Sequence, residues 1–187
     1  MAYTTIDNPE LYFQTKLFTG NASTQSITLD GSEDMQPDWV WFKNRSASAG
    51  GKIYDSVRGV QEVLSSNEND AESTTSAGLT AFGTDGFSVG SYSDINGSGN
   101  GIVAWNWKVI LAKRRSDASN WCMYHESHGN TKALYLNNNT VGATSTTFWN
   151  DTTPTSSVFT VGSDAATNGS SDTQIAYCFA DVKGYSK

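Results

Sequence analysis

Cysteine, histidine, proline and basic side chains are all scarce in this chain, and each scarcity closes off a class of function. Two cysteines, Cys122 and Cys178, cannot build a disulfide framework. Nothing in the sequence marks an oxidising compartment, so a reduced, buried pair is expected. Twelve Lys and Arg stand against nineteen Asp and Glu, a net charge of −7. A nucleic-acid partner needs a basic face to displace counterions, so none is expected. The same acidity favours solubility at high copy number. The longest apolar stretch, in GIVAWNWKVILAKRR (101–115), is broken by Asn106 and Lys108 and is too short to cross a bilayer. Membrane insertion is not expected. The opening MAYTTIDNPELYFQ has neither a basic nor an apolar leader region, so it does not read as a signal peptide.

Strong helix formers are also sparse, whereas six Trp, eight Tyr and eight Phe are present. Aromatics suit pleated, half-buried surfaces. Short apolar runs between Gly, Asn, Ser and Asp clusters predict an all-β protein. Each large aromatic buries ~150–250 Å². At ~25 cal/mol per Å² that is roughly 4–6 kcal/mol gross, enough to offset chain entropy without helices.

The chain is written twice. Val40 to Ser46 (VWFKNRS) aligns with Ile110 to Ser116 (ILAKRRS) at an offset of 70, which holds through Leu64/Leu134 and Asn67/Asn137. FSVGS (87–91) meets FTVGS (159–163) at an offset of 72, as do VAWNW (103–107) and IAYCF (175–179). A fixed order of matched blocks indicates internal duplication. Between the registers, the second copy reads as losing residues near 71–76 and gaining six around 149–154. Only Lys108 separates the copies, and a hairpin needs a longer turn. One strand over 101–115 is therefore expected, with both halves wrapping one core. The organisation predicted is a single domain over 1–187: lead-in strands at 1–36, copy one at 37–108 and copy two at 109–187. Strands are expected at 12–19, 25–29, 39–44, 52–56, 63–66, 79–82, 86–90, 101–115, 121–124, 132–136, 146–149, 158–161 and 174–180. About a dozen strands suit a two-sheet antiparallel β-sandwich.

Few residues point to chemistry. His125 and His128 invite a metal reading, but the repeat places Asp55 and Arg58 at the same positions, which favours a polar pair at a strand end. The loops at 93–98 and 164–172 are oxygen-rich without an EF-hand pattern, and Asn-Gly-Ser is equally a tight-turn signature. No metal or cofactor is expected. Glu62, Glu68, Glu72 and Glu126 form no paired-carboxylate constellation, and neither a nucleophile elbow nor a P-loop is present, so no enzyme is expected. Lys108, Lys113, Arg114 and Arg115 form the one basic cluster. It either guards a sheet edge or makes a docking patch, through Lys113, Arg114 and Arg115, for an acidic partner. In the inserted loop, Trp149 beside Asn150 and Asp151 offers a stacking and hydrogen-bonding contact for a glycan or partner, against a reading of Trp149 as core.

The strings QPDWVWFKNR, IYDSVRG, GFSVGS and NGSGNGIVAWNWK, with FWNDTTPTSSVFTVG and IAYCFADVKGYSK in the second half, resemble a module of tailed-bacteriophage virion proteins, especially of marine phages infecting cyanobacteria. The resemblance covers nearly the whole chain. It implies a concanavalin-like, SPRY-like or jelly-roll-like sandwich in a tail-fibre-like or minor structural protein. The function then expected is a non-enzymatic virion protein, a head decoration or short tail appendage, assembled in the host bacterial cytoplasm and located in the virion. Its partners would be other capsid or tail proteins and further copies of itself. The alternative is a lectin-like tail-fibre tip for host attachment through surface polysaccharide. A glycan-degrading enzyme is the third reading.

Overall fold

The computed structural model describes residues 8–107, 112–124, 129–138, 143–155 and 158–178. These residues are β and loop, apart from a 3-10 turn at Pro9–Leu11 and two four-residue helices. By contacts the chain falls into two compact units. The first contains 8–65 and 73–107; the second contains Ser66–Glu72 and 112–178.

In the first unit the strands are β1 (Phe13–Thr19), β2 (Gln25–Thr28), β3 (Trp39–Asn44), β4 (Lys52–Asp55), β5 (Gly59–Ser65), β6 (Ser73–Thr74), β7 (Leu79–Gly83), β8 (Gly86–Val89) and β9 (Gly101–Trp107). They form two antiparallel sheets, ordered β1-β9-β3-β4-β5-β6 and β2-β8-β7. Period-two alternation selects the residues that meet between them. Val40, Phe42, Tyr54, Val63, Ile102 and Ala104 come from the larger sheet; Ile27, Leu79, Phe87 and Val89 come from the smaller. Phe42 sits at the centre, edge-on to Tyr54 and Phe87 with ring centroids 5.9 and 5.2 Å away. The other face of the larger sheet carries Trp39, Trp41 and Trp105, with Trp41 and Trp105 5.4 Å apart. Apolar residues on both faces of β3 follow from that double layer.

A short helix, α1 (Ser93–Asn96), closes this unit. Asn96 is fully buried and acts as a hub. Its Oδ1 accepts from Asn21 N and Gln25 Nε2, while Nδ2 donates to Ser23 O and Gly90 O. Asn96→Ala leaves several of these groups unsatisfied, so a loss of about 2–4 kcal/mol is expected in urea unfolding. Asn168, its counterpart in the repeat, is exposed. Asn168→Ala is expected to cost less than about 1 kcal/mol.

The second unit contains β10 (Ala112–Arg114), β11 (Cys122–Met123), β12 (Lys132–Tyr135), β13 (Ala143–Thr144), α2 (Ala165–Asn168) and β14 (Gln174–Ala176). Its five strands are ordered β13-β12-β11-β10-β14. Cys122, Ala133, Phe148 and Trp149 form its buried cluster, flanked by Tyr124, Tyr135, Val161 and Ala166.

The duplication is visible bond by bond. Asn44 pairs with Ile102, and Arg114 with Gln174. Arg45 N–H donates to Gly101 O, and Arg115 N–H to Thr173 O, both at 2.8 Å. Ser46 Oγ accepts from Gly101 N, and Ser116 Oγ from Thr173 N. Gly90 and Gly162 both lie where a Cβ would strike a carbonyl, Ala77 O at 2.6 Å and Thr147 O at 2.2 Å.

Several expectations are corrected. Glu62 pairs with Thr74 as Lys132 pairs with Thr144, so the offset of 70 runs through 71–76 and no residues are lost there. Gly90 donates to Gly78 O as Gly162 donates to Phe148 O, so the second copy gains two residues between these points, not six. Hydrogen-bond register counts backbone, whereas letter matching counts similarity. Residues 146–149 form a turn and 158–161 form loop, not strands. The expected long strand is seen only as its flanks, β9 and β10, because 108–111 lie outside the described residues. Among the described residues, one buried apolar cluster of the first unit centres on Phe42 and Phe87, and one of the second on Phe148 and Trp149. Cys178 is exposed, so the buried-pair reading holds for Cys122 alone; both are free.

Candidate functional site

Trp149 is 4% exposed, and this removes it as a stacking platform. Its indole Nε1 donates to Lys132 O at 2.9 Å, and its ring meets Tyr124 edge-on at 6.0 Å. It belongs to the core of the second unit, because a satisfied indole N–H lets the large ring be buried without penalty. Asn150 and Asp151, the neighbours expected to help it, remain exposed. Both are left-handed, with φ of 51° and 46°. Trp149 O accepts from Thr152 N, so the pair forms the tip of a tight turn, and Asn130 Nδ2 braces it by donating to Asp151 O.

The basic cluster is not a free patch either. Lys113 is fully buried, and its Nζ donates to Arg114 O at 2.9 Å. Burial pushes its amine from 10.5 down to about 8, against an opposing pull from Asp70. Arg114 pairs with Asp117 and Asp172, each at 2.9 Å. Arg115 forms a two-pronged pair with Glu72, whose backbone N–H also donates to Arg115 O. Ser119 N–H donates to Asn69 O at 2.7 Å. These bonds hold Ser66–Glu72 in the second unit. Charges expected to face a partner are turned inward because each has an acid within its own unit. Glu72→Gln is expected to cost about 1–2 kcal/mol, since the pair is partly buried and bidentate. The check is faster hydrogen exchange at the Ser119 amide.

One polar cluster was not singled out from the sequence. Lys52 Nζ lies 3.4 Å from Asp94 Oδ2 and donates to Ser65 Oγ at 2.9 Å; Tyr92 Oη donates to the same carboxylate oxygen at 2.9 Å. Tyr54 lies beneath, its ring fully buried and its phenol pushed well above the usual range by burial. The repeat replaces Lys52, Ser65 and Asp94 by Cys122, Tyr135 and Ala166, which pack together. Burial pushes the Cys122 thiol up to about 12, so it behaves as a small apolar residue. Cation and anion disappear together in copy two, and that joint exchange was the available signal.

The oxygen-rich loops have internal uses. Asp164 Oδ1 caps α2 at Ala166 N, and Asp172 binds Arg114 and Ser116 Oγ. Among the described residues, no three metal-binding side chains cluster. His125, Glu126 and His128 lie outside the described residues. Asp55, the counterpart of His125, is buried beside Arg58.

No curated protein and no solved structure matches the chain. One family does, twice, at residues 8–110 and 108–187. The chain belongs to the family described as domain of unknown function DUF7483.

Proposed function

We propose that this protein is a non-enzymatic structural module of a tailed-phage virion, a head decoration or short tail appendage. The observation that carries the reading is the run of strings resembling virion modules, from QPDWVWFKNR to IAYCFADVKGYSK. The geometry is in keeping with a scaffold. Lys16, Lys52, Arg58, Arg114 and Arg115 are all engaged in ion pairs within the chain. Sheets, short turns and a surplus of acid suit a protein displayed at high copy number.

Mass spectrometry and immunogold labelling of purified particles of the encoding virus test this. The protein is expected as a fixed-stoichiometry component; particles free of it refute the reading. The glycan alternative now rests on Asn150 and Asp151. Under the structural reading, replacing both by Ala leaves host adsorption unchanged.

A further inference from the structure

The second unit is an incomplete copy of the first. In unit one, β1 pairs along the whole of β9, and β2 pairs along the whole of β8. Phe18 packs edge-on to Phe87 at 6.1 Å, and Ile27 lies opposite Phe87 in the ladder. Phe87 is consequently 2% exposed. The repeat carries sequence counterparts of β9 and β8, and among the described residues the second unit has no strand in the places of β1 and β2. One family match begins at residue 8 and includes the lead-in, and the other begins at 108.

Three features of the second unit go with this difference. First, among the described residues the only strand neighbour of β14 is β10. Second, residues 158–161 do not form a strand, and Val158 and Phe159 are 62% and 39% exposed. Phe159 is the counterpart of the buried Phe87. Third, both polar atoms of the Gln174 side chain are buried without a hydrogen-bond partner. Gln174 is the counterpart of Ile102, the residue that faces Phe18 of β1. Among the described residues, an exposed apolar strip and a strand with one neighbour therefore coincide where the first unit has β1 and β2.

We propose that the second unit is an acceptor for an extended strand donated by a different protein, which adds to β14 and covers Val158 and Phe159. The first unit defines the donor chemistry. It is a β-segment with the pattern of Phe13–Thr28: largely polar strands that carry one large apolar residue placed as Phe18 is and another as Ile27 is. A second copy of this chain is the poorer donor, because its own lead-in already seals the core of its first unit. Backbone hydrogen bonds to β14 would supply affinity, and the apolar strip would supply selectivity.

A synthetic peptide of residues 13–28, with a scrambled control, tests this on the full chain. Micromolar binding is expected, with slower hydrogen exchange at 174–176 and 158–161. Phe159→Asp, at an exposed position, should weaken binding roughly tenfold or more. Absence of binding, or binding that leaves those amides unprotected, overturns the proposal. Slow exchange there in the isolated monomer also overturns it, since the chain then fills its own groove. Concentration-dependent protection without peptide overturns the foreign donor and makes a second copy the occupant.

Discussion

Arg58→Ala destabilises the first unit by about 3–5 kcal/mol, the scale for removing one partner of a buried ion pair. The Arg58 and Asp55 side chains are only 1% and 2% exposed, with the guanidinium Nε donating to Asp55 Oδ2. Asp55 Oδ1 meanwhile accepts from the Val57 and Arg58 backbone N–H groups, and Arg58 Nη2 donates to Ile53 O. The pair thus closes the turn between β4 and β5. Truncating Arg58 strands a carboxylate in the interior without its cation. Removing both charges with volume kept, as in Asp55→Leu with Arg58→Met, is expected to cost much less than either single truncation. Urea unfolding of the three variants measures this. A single-variant loss below about 1 kcal/mol would show the pair to be solvated.

Lys113→Met moves stability the other way. A buried amine lowered from 10.5 to about 8 corresponds to about 3 kcal/mol of destabilisation at neutral pH. The sign follows from proton counting. Between pH 8 and 10.5 the unfolded chain holds a proton that the folded chain has released, so stability rises with pH through that window. Below pH 8 the full cost is present. Methionine keeps the stem and removes the charge, so a gain of about 1–3 kcal/mol at pH 7 is expected, together with loss of the alkaline rise. Stability measured against pH for both proteins checks this. A variant that is destabilised, or that keeps the rise, assigns the cost to another group.

These two residues also show what a sequence hides. Lys113 aligns with Lys43, which is exposed and donates to Ala49 O. The two share a sequence context and a strand position, yet one amine meets solvent and the other does not. Trp149 misled in the opposite direction. Its polar neighbours imply a surface loop, whereas the Lys132 carbonyl that receives its indole N–H lies 17 residues away. A buried pair between distant residues leaves no local pattern. The strands of the first copy were legible because runs such as 39–44 are short, apolar and aromatic, and turn clusters bound them.

FSVGS and FTVGS give the sharpest contrast. The first is strand β8 between two partners, and the second lies in loop. Alternation, acidity and the doubled order of blocks were fixed by the residues themselves, because side-chain period and charge are local properties. Which cations are buried, which tryptophan is core and whether 158–161 becomes a strand were decided in three dimensions. A strand exists only where a neighbour completes its ladder, and burial is a property of everything packed around a residue.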